Sequence, residues 1–178
     1  PFGSLALMKN LRKNGFEDVH FYDIDCLRPS FEDAVERIVA TKPDIFGISA
    51  VVSTAYEYTK RLSLAVRERL PETTIVAGGN LAASAEVLLQ KTAVDFCVIG
   101  EGETVFLNFI QRSQKTRNPA DFWDVPGLVY LGRGNDLVNT GYETQLPGET
   151  LYDIDWDDLN EGSNLDYFFP VAADSAVI

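Results

Sequence analysis

Two rhythms of apolar and polar positions alternate along this chain. Residues 5–14 repeat at helical spacing, and Gly15 stands where a helix C-cap needs a left-handed residue. A short apolar run, 19–22, follows and reads as a strand ending at Asp23. Ser30 is placed to cap a helix whose stripe is Phe31, Ala34, Val35, Ile38 and Val39, and Pro43 punctuates its end. The run 44–49 is apolar on both faces, the pattern of a strand buried in the middle of a parallel sheet. A long helix is expected over 54–70, stopped by Pro71. Residues 74–77 form a second buried strand ending at Gly78-Gly79, 84–91 a short helix, and 95–99 a last core strand. Val105, Phe106, Phe109 and Ile110 mark the helix that closes this core. From about Pro119 the rhythm changes: 127–131 and 137–139 flank Gly132-Arg133-Gly134-Asn135-Asp136 as a hairpin.

Strand and helix in alternation predict an α/β fold, a Rossmann-like (flavodoxin-like) doubly wound parallel sheet followed by a small β-hairpin connector. The expected division is 1–118 for the sheet domain and 119–178 for connector and linker. One element is lacking. A chain of this type opens on a strand, which in the order 2-1-3-4-5 is central, whereas here Pro1-Phe2-Gly3 leads straight into a helix. Each unpaired buried backbone group costs on the order of 1–3 kcal/mol. Two remedies are therefore expected: 19–22 pairs directly with 44–49, or a strand from elsewhere completes the sheet. The acidic, aromatic stretch after Leu151 is one source, with Val171-Ala172-Ala173 as its apolar piece. Supplied by a second copy, it would give a homodimer by strand or tail exchange.

Charge narrows the partners. Lys and Arg total 15 against 27 Asp and Glu, a net charge of −12, with no basic cluster longer than residues 9–13. That balance argues against nucleic acid. No apolar run reaches the ~20 residues that span a bilayer, and no signal-peptide pattern is present. Cys26 and Cys97 are too far apart in sequence for metal-ligand spacing, and a core of this size needs no disulfide. Both read as reduced thiols, in keeping with a cytoplasmic setting. The single histidine, His20, reads as an ordinary strand residue.

Ligands of doubly wound sheets bind outside the carboxyl ends of the strands. Ser49, Ala50, Val51, Val52, Ser53 and Thr54 offer small side chains and hydroxyls after a strand, although Ser53 or Thr54 also suits a helix cap. Gly78, Gly79 and Asn80 permit close approach of a bulky ligand, or simply a tight turn. Gly100, Glu101 and Gly102 repeat this logic, with Glu103 as a first-turn acid. These positions are expected to line one pocket. There is no phosphate loop, no G-x-G-x-x-G and no Ser-His-Asp set, so the chain is not expected to catalyse anything by itself.

Taken in order, Pro-Asp-Ile-Phe-Gly-Ile-Ser (43–49), Val-Ala-Gly-Gly-Asn (76–80) and Val-Asp-Phe-Cys-Val-Ile-Gly-Glu-Gly-Glu (94–103) resemble the B12 (cobalamin)-binding domain that precedes a radical-SAM core. The likeness extends over about 1–159, with 125–130 resembling the connector to the radical-SAM barrel. It implies cobalamin as cofactor, its corrin across the strand ends and its tail in a slot beside Ser49, Gly78 and Gly79. It implies a radical-SAM domain of the same parent chain as partner, to which the corrin is presented for methyl transfer or a related radical reaction. The iron–sulfur cluster and S-adenosylmethionine would belong to that downstream domain, whose C-x-x-x-C-x-x-C motif is absent here. Two departures stand out. Leu81 occupies a position where the family often has His. If Gly3 matches the glycine of D-x-H-x-x-G, the axial His of some cobalamin domains would fall before Pro1. The alternative reading is a flavodoxin-like scaffold that has lost cobalamin and serves as a docking domain.

Overall fold

The structure, a computed structural model, describes residues 2–144 and 154–164. Its contacts group the chain into two units, one of residues 31–146 and one of 1–30 with 147–178.

The larger unit carries the sheet. Helix α3 (Phe31–Thr41) precedes β1 (Ile45–Ser49), α4 (Tyr56–Arg69), β2 (Thr74–Gly78), α5 (Ala85–Lys91), β3 (Phe96–Val98) and α6 (Gly102–Ser113), in the alternation the periodicity predicts. The hairpin β4 (Leu128–Leu131) and β5 (Leu137–Asn139) also forms at the expected positions. It joins the sheet, because β4 pairs antiparallel with β3 and β5 with β4. The order is β1-β2-β3-β4-β5, with β1, β2 and β3 parallel. The result is a Rossmann-like α/β fold with an antiparallel extension.

A cluster of aromatic rings fixes one face of this sheet. Phe96 of β3 lies 5.0 Å from Phe109 of α6, 5.0 Å from Phe122 and 5.3 Å from Tyr130 of β4, and all four are buried. Burial of such rings against one another is the largest apolar contribution available to a core of this size. Cys97, beside Phe96, is fully buried, and desolvation pushes its thiol up to about 12. It is a packing residue held neutral, as expected of an inert thiol.

The amino ends of β2 and β3 are tied by one side chain. Arg67 at the end of α4 donates to the carbonyls of Pro71 (2.8 Å), Thr73 (2.7 Å) and Ala93 (3.4 Å) and pairs with Asp95 at 2.5 Å. Asp95 in turn accepts from the Ile75 amide at 2.7 Å. Arg67→Ala strands these acceptors, so a loss of ~1–3 kcal/mol is expected. A shift of the urea midpoint to lower denaturant, at unchanged slope, measures it.

Two expectations fail here. The run 44–49 was expected to be a central strand, yet β1 is an edge whose only ladder partner among the described residues is β2. Consequently Gly47 and Ser49 are exposed and Ile45, Phe46 and Ile48 only half-buried. The second is that 19–22 is not a strand and does not pair with 44–49.

The smaller unit shows what holds 19–23 instead. Helix α7 (Trp156–Gly162) places Leu159 against Leu5 and Met8 of α1 (Phe2–Lys13), with Val19, Phe21 and Ile154 around them. The Asp23 amide donates to the Gly162 carbonyl at 2.8 Å, and the Ser163 hydroxyl donates to the Asp23 carboxylate at 2.8 Å. Arg12 pairs with the buried Asp158 and donates to the Val19 carbonyl at 3.3 Å. The described part of the tail is thus helical and fills no place in the sheet. Between them, α2 (Ile24–Leu27) is a single turn capped by the Asp23 side chain. Val171-Ala172-Ala173 lies outside the described residues.

Candidate functional site

The parallel strands β1, β2 and β3 bring three of the expected segments to one edge of the sheet. Ser49 pairs in register with Gly78, and the chain continues past each strand end in an unusual backbone. Gly79 (φ +78°) and Gly100 (φ +81°) both have a positive φ, which only glycine adopts cheaply. The Ala50 amide donates to the Gly78 carbonyl at 3.1 Å, and the Leu81 amide to the Ala50 carbonyl at 3.0 Å. These bonds stitch the loop after β1 to the loop after β2.

The two adjacent glycines serve different ends. A Cβ on Gly79 would lie 2.6 Å from the Ala50 oxygen and 3.0 Å from its carbonyl carbon, so this glycine is required by the protein's own backbone. A Cβ on Gly78 would meet nothing within 4 Å. Gly78 thus faces open space, whereas Gly79 faces the Ala50 backbone. A bulky side chain at Gly79, expected to block a ligand with little loss of fold, would therefore meet Ala50 first and disturb the loop.

The hydroxyl-bearing loop is available to a ligand. Val51 and Val52 are 62% and 57% exposed, and Ser49, Ser53 and Thr54 are also exposed. A 3-10 turn, Ser53–Ala55, leads into α4, and neither element carries a side-chain cap. Ser53 and Thr54 are thus not used as the caps their position suggested. Ala50 alone of this loop is buried. After β3, Glu101 is the N-cap residue of α6 without a side-chain cap bond, and Gly102 begins the helix. Asn80 starts the 3-10 turn Asn80–Ser84, and Leu81, in place of the family's histidine, is buried as a packing residue. Gly3 falls in the first turn of α1, in the other unit, where a Cβ meets nothing within 4 Å. Of the strand-end residues, Ser49, Val51, Val52, Ser53, Thr54, Gly79, Asn80 and Gly100 are exposed and Gly78, Glu101 and Gly102 half-buried. A hollow elsewhere, lined by Asn108, Gln111 and the Arg112–Asp124 ion pair, lies away from this surface.

One residue at this edge escaped sequence reasoning. Tyr142 follows β5, and a Cβ on Gly100 would lie 3.5 Å from its ring Cδ1. Backbone bonds carry the sheet beyond its strands here: the Ile99 amide donates to the Gly127 carbonyl (2.9 Å) and the Gly127 amide to that of Gly141 (2.7 Å). Its only sequence signal was a glycine-aromatic pair just past a predicted strand. Among the described residues no group of His, Cys, Asp and Glu is arranged to hold a metal ion.

Glycine-bearing loops at the carboxyl ends of parallel strands define a Rossmann-like ligand-binding domain. The profile of the B12 binding domain matches residues 1–110, and the chain belongs to that family. Its family cofactor is cobalamin, as the resemblance implied. The open space at Gly78 and the uncapped, exposed loops fit a large flat ligand. Among curated proteins, the chain is similar to the anaerobic magnesium-protoporphyrin IX monomethyl ester cyclase of Rubrivivax gelatinosus, 30% identical over 82% of this chain and 26% of that protein. The protein of the same name from Synechocystis is 30% identical over 87% of this chain and 30% of its own length. The chain thus spans about a quarter to a third of these relatives. Among solved structures, the radical S-adenosylmethionine methyltransferase TsrM from Kitasatospora setae, with cobalamin and a [4Fe-4S] cluster bound, superposes with a TM-score of 0.68 at 17% identity, over 86% of this chain and 28% of that one. The cobalamin-dependent S-adenosylmethionine radical enzyme OxsB gives 0.71 at 19% identity, over 91% and 22%. These likenesses establish the fold. Among the described residues no helix is long and apolar enough to cross a membrane.

Proposed function

We propose that this chain is the cobalamin-binding module of a larger radical-SAM enzyme, presenting the corrin to an iron–sulfur and S-adenosylmethionine barrel of the same parent chain. The observation that carries the reading is the surface at the ends of β1, β2 and β3, where Gly78 opens a space no protein atom fills, in a chain of the B12 binding family. Ser49, Val51, Val52, Ser53, Thr54, Gly78, Asn80, Gly100, Glu101 and Gly102 are the proposed contacts, with Ala50 and Gly79 shaping the loops beneath them. Gly3 is kept as a contact by resemblance alone. Bound cobalamin would supply a cobalt centre for methyl transfer or a related radical reaction. The protein's part is to hold the macrocycle flat against the strand ends and keep water from one of its faces.

In this reading residues 1–118 form the binding domain and 119–178 lead toward the barrel, in a cytoplasmic setting. Among the described residues the outer edge of β1 is open, and strand exchange with a second copy is the proposed route by which a dimer would close it. The scaffold alternative predicts loops rebuilt with bulky residues, and the glycines at 78, 100 and 102 disfavour it. Incubation with hydroxocobalamin, gel filtration and visible absorbance test the proposal. A corrinoid spectrum that co-elutes with the protein at about one equivalent is expected. A colourless protein after saturating exposure sinks it.

A further inference from the structure

The geometry points to Tyr142, from the segment after the hairpin, as a direct contact of the corrin, so that the hairpin completes the cofactor site instead of only leading away from it. This rests on the cobalamin reading above and adds a residue that the family profile, ending at residue 110, does not reach.

Three observations converge on it. The first is position. The backbone bonds joining Ile99, Gly127 and Gly141 extend β3, β4 and β5 in step, which brings Tyr142 alongside Gly100 at the carboxyl end of β3. The second is exposure. Tyr142 is 76% exposed, and its ring lies beside a glycine that has no side chain to cover it. The third is the company it keeps. Val51 and Val52, also large, apolar and exposed, follow β1, two strands away across β2. Strands pair at about 4.8 Å, so β1 and β3 are separated by roughly 10 Å, with the open space at Gly78 between them.

Exposed apolar residues after β1 and after β5, with glycines at the strand ends between them, suit one kind of occupant, a broad, flat, mostly apolar ligand with a polar appendage. The corrin with its tail is such a ligand. A single exposed tyrosine would need no explanation. One held beside Gly100, at the same sheet edge as Val51 and Val52, forms a second wall. Its ring face would lie on the corrin and its hydroxyl would stay toward water, as an amphipathic aromatic at a binding-site rim does.

The test is titration of the full chain with hydroxocobalamin, comparing wild type with Tyr142→Ala, Tyr142→Phe and Trp123→Ala. Trp123 is equally exposed, at 71%, but lies outside the proposed site and serves as the control. Tyr142→Ala should weaken binding about tenfold, equivalent to ~1.4 kcal/mol. Tyr142→Phe should bind within about twofold of wild type, since the ring and not the hydroxyl makes the contact, and Trp123→Ala should bind as wild type does. Melting midpoints of the three variants should stay together, because both residues are exposed. Wild-type affinity in Tyr142→Ala overturns the proposal, and so does a Tyr142→Phe variant as weak as Tyr142→Ala. If wild type itself takes up no cobalamin, the cobalamin reading falls first and this contact with it.

Discussion

Gly78→Leu is expected to abolish cobalamin binding in a protein that remains folded. Gly78 is the last residue of β2 and has ordinary strand backbone, so a side chain there brings no conformational strain. A Cβ at this position meets no atom within 4 Å, so a side chain starts into open space. That space is where the ligand must sit if it bridges the ends of β1 and β3. A steric block in a binding site acts on affinity and leaves the empty protein intact. A loss of more than about a hundredfold, ~2.7 kcal/mol, is expected in the hydroxocobalamin titration. Far-UV circular dichroism and the urea midpoint should match wild type. Wild-type affinity in this variant would place the cofactor somewhere other than the strand ends.

The neighbouring substitution should behave in the opposite way. Gly79→Ala is expected to damage the fold before it can report on any ligand. Its φ of +78° costs a non-glycine residue about 1–2 kcal/mol. The new Cβ would also lie 2.6 Å from the backbone oxygen of Ala50. Relieving that clash means shifting a backbone that holds the Ala50–Gly78 and Leu81–Ala50 bonds, at a further ~1–3 kcal/mol. Together these are roughly 2–5 kcal/mol, a large part of the ~5–15 kcal/mol that holds a domain together. Equilibrium unfolding in urea checks it, and a midpoint equal to that of wild type would show that the loop relaxes freely. The pair separates two glycines that look alike as letters: one faces open space, the other the backbone of Ala50.

This contrast shows what was legible in the sequence. The strands at 45–49, 74–78, 96–98, 128–131 and 137–139 follow apolar runs bounded by glycine, proline and turn residues, and local pattern suffices to find them. That 19–22 is no strand was not legible. Its apolarity is real, but a strand needs a ladder partner, and here Phe21 and Asp23 are engaged by Gly162 and Ser163, about 140 positions along the chain. For the same reason the pattern at 44–49 described burial on two sides while the sheet supplies one neighbour. At the strand ends, composition marked the loops that the sheet brings to one edge. It did not show that the space beside Gly79 is occupied by Ala50, nor that Tyr142 returns to Gly100, since both depend on the register between strands far apart in sequence.

The edge position of β1 also divides its own residues into two sets. The bonds Thr74 N–H to Asp44 C=O and Ala50 N–H to Gly78 C=O show which parity faces β2. In a parallel ladder alternate residues turn both of their peptide groups to the same side. Phe46 and Ile48 therefore share the orientation of Asp44 and Ala50, while the amides of Ile45, Gly47 and Ser49 point outward, where water is their solvent. Solvent deuterium can reach the outward set without breaking a single bond of the sheet, whereas the inward set must wait for β1 to part from β2. Slow and fast sites thus interleave, residue by residue, along one short strand.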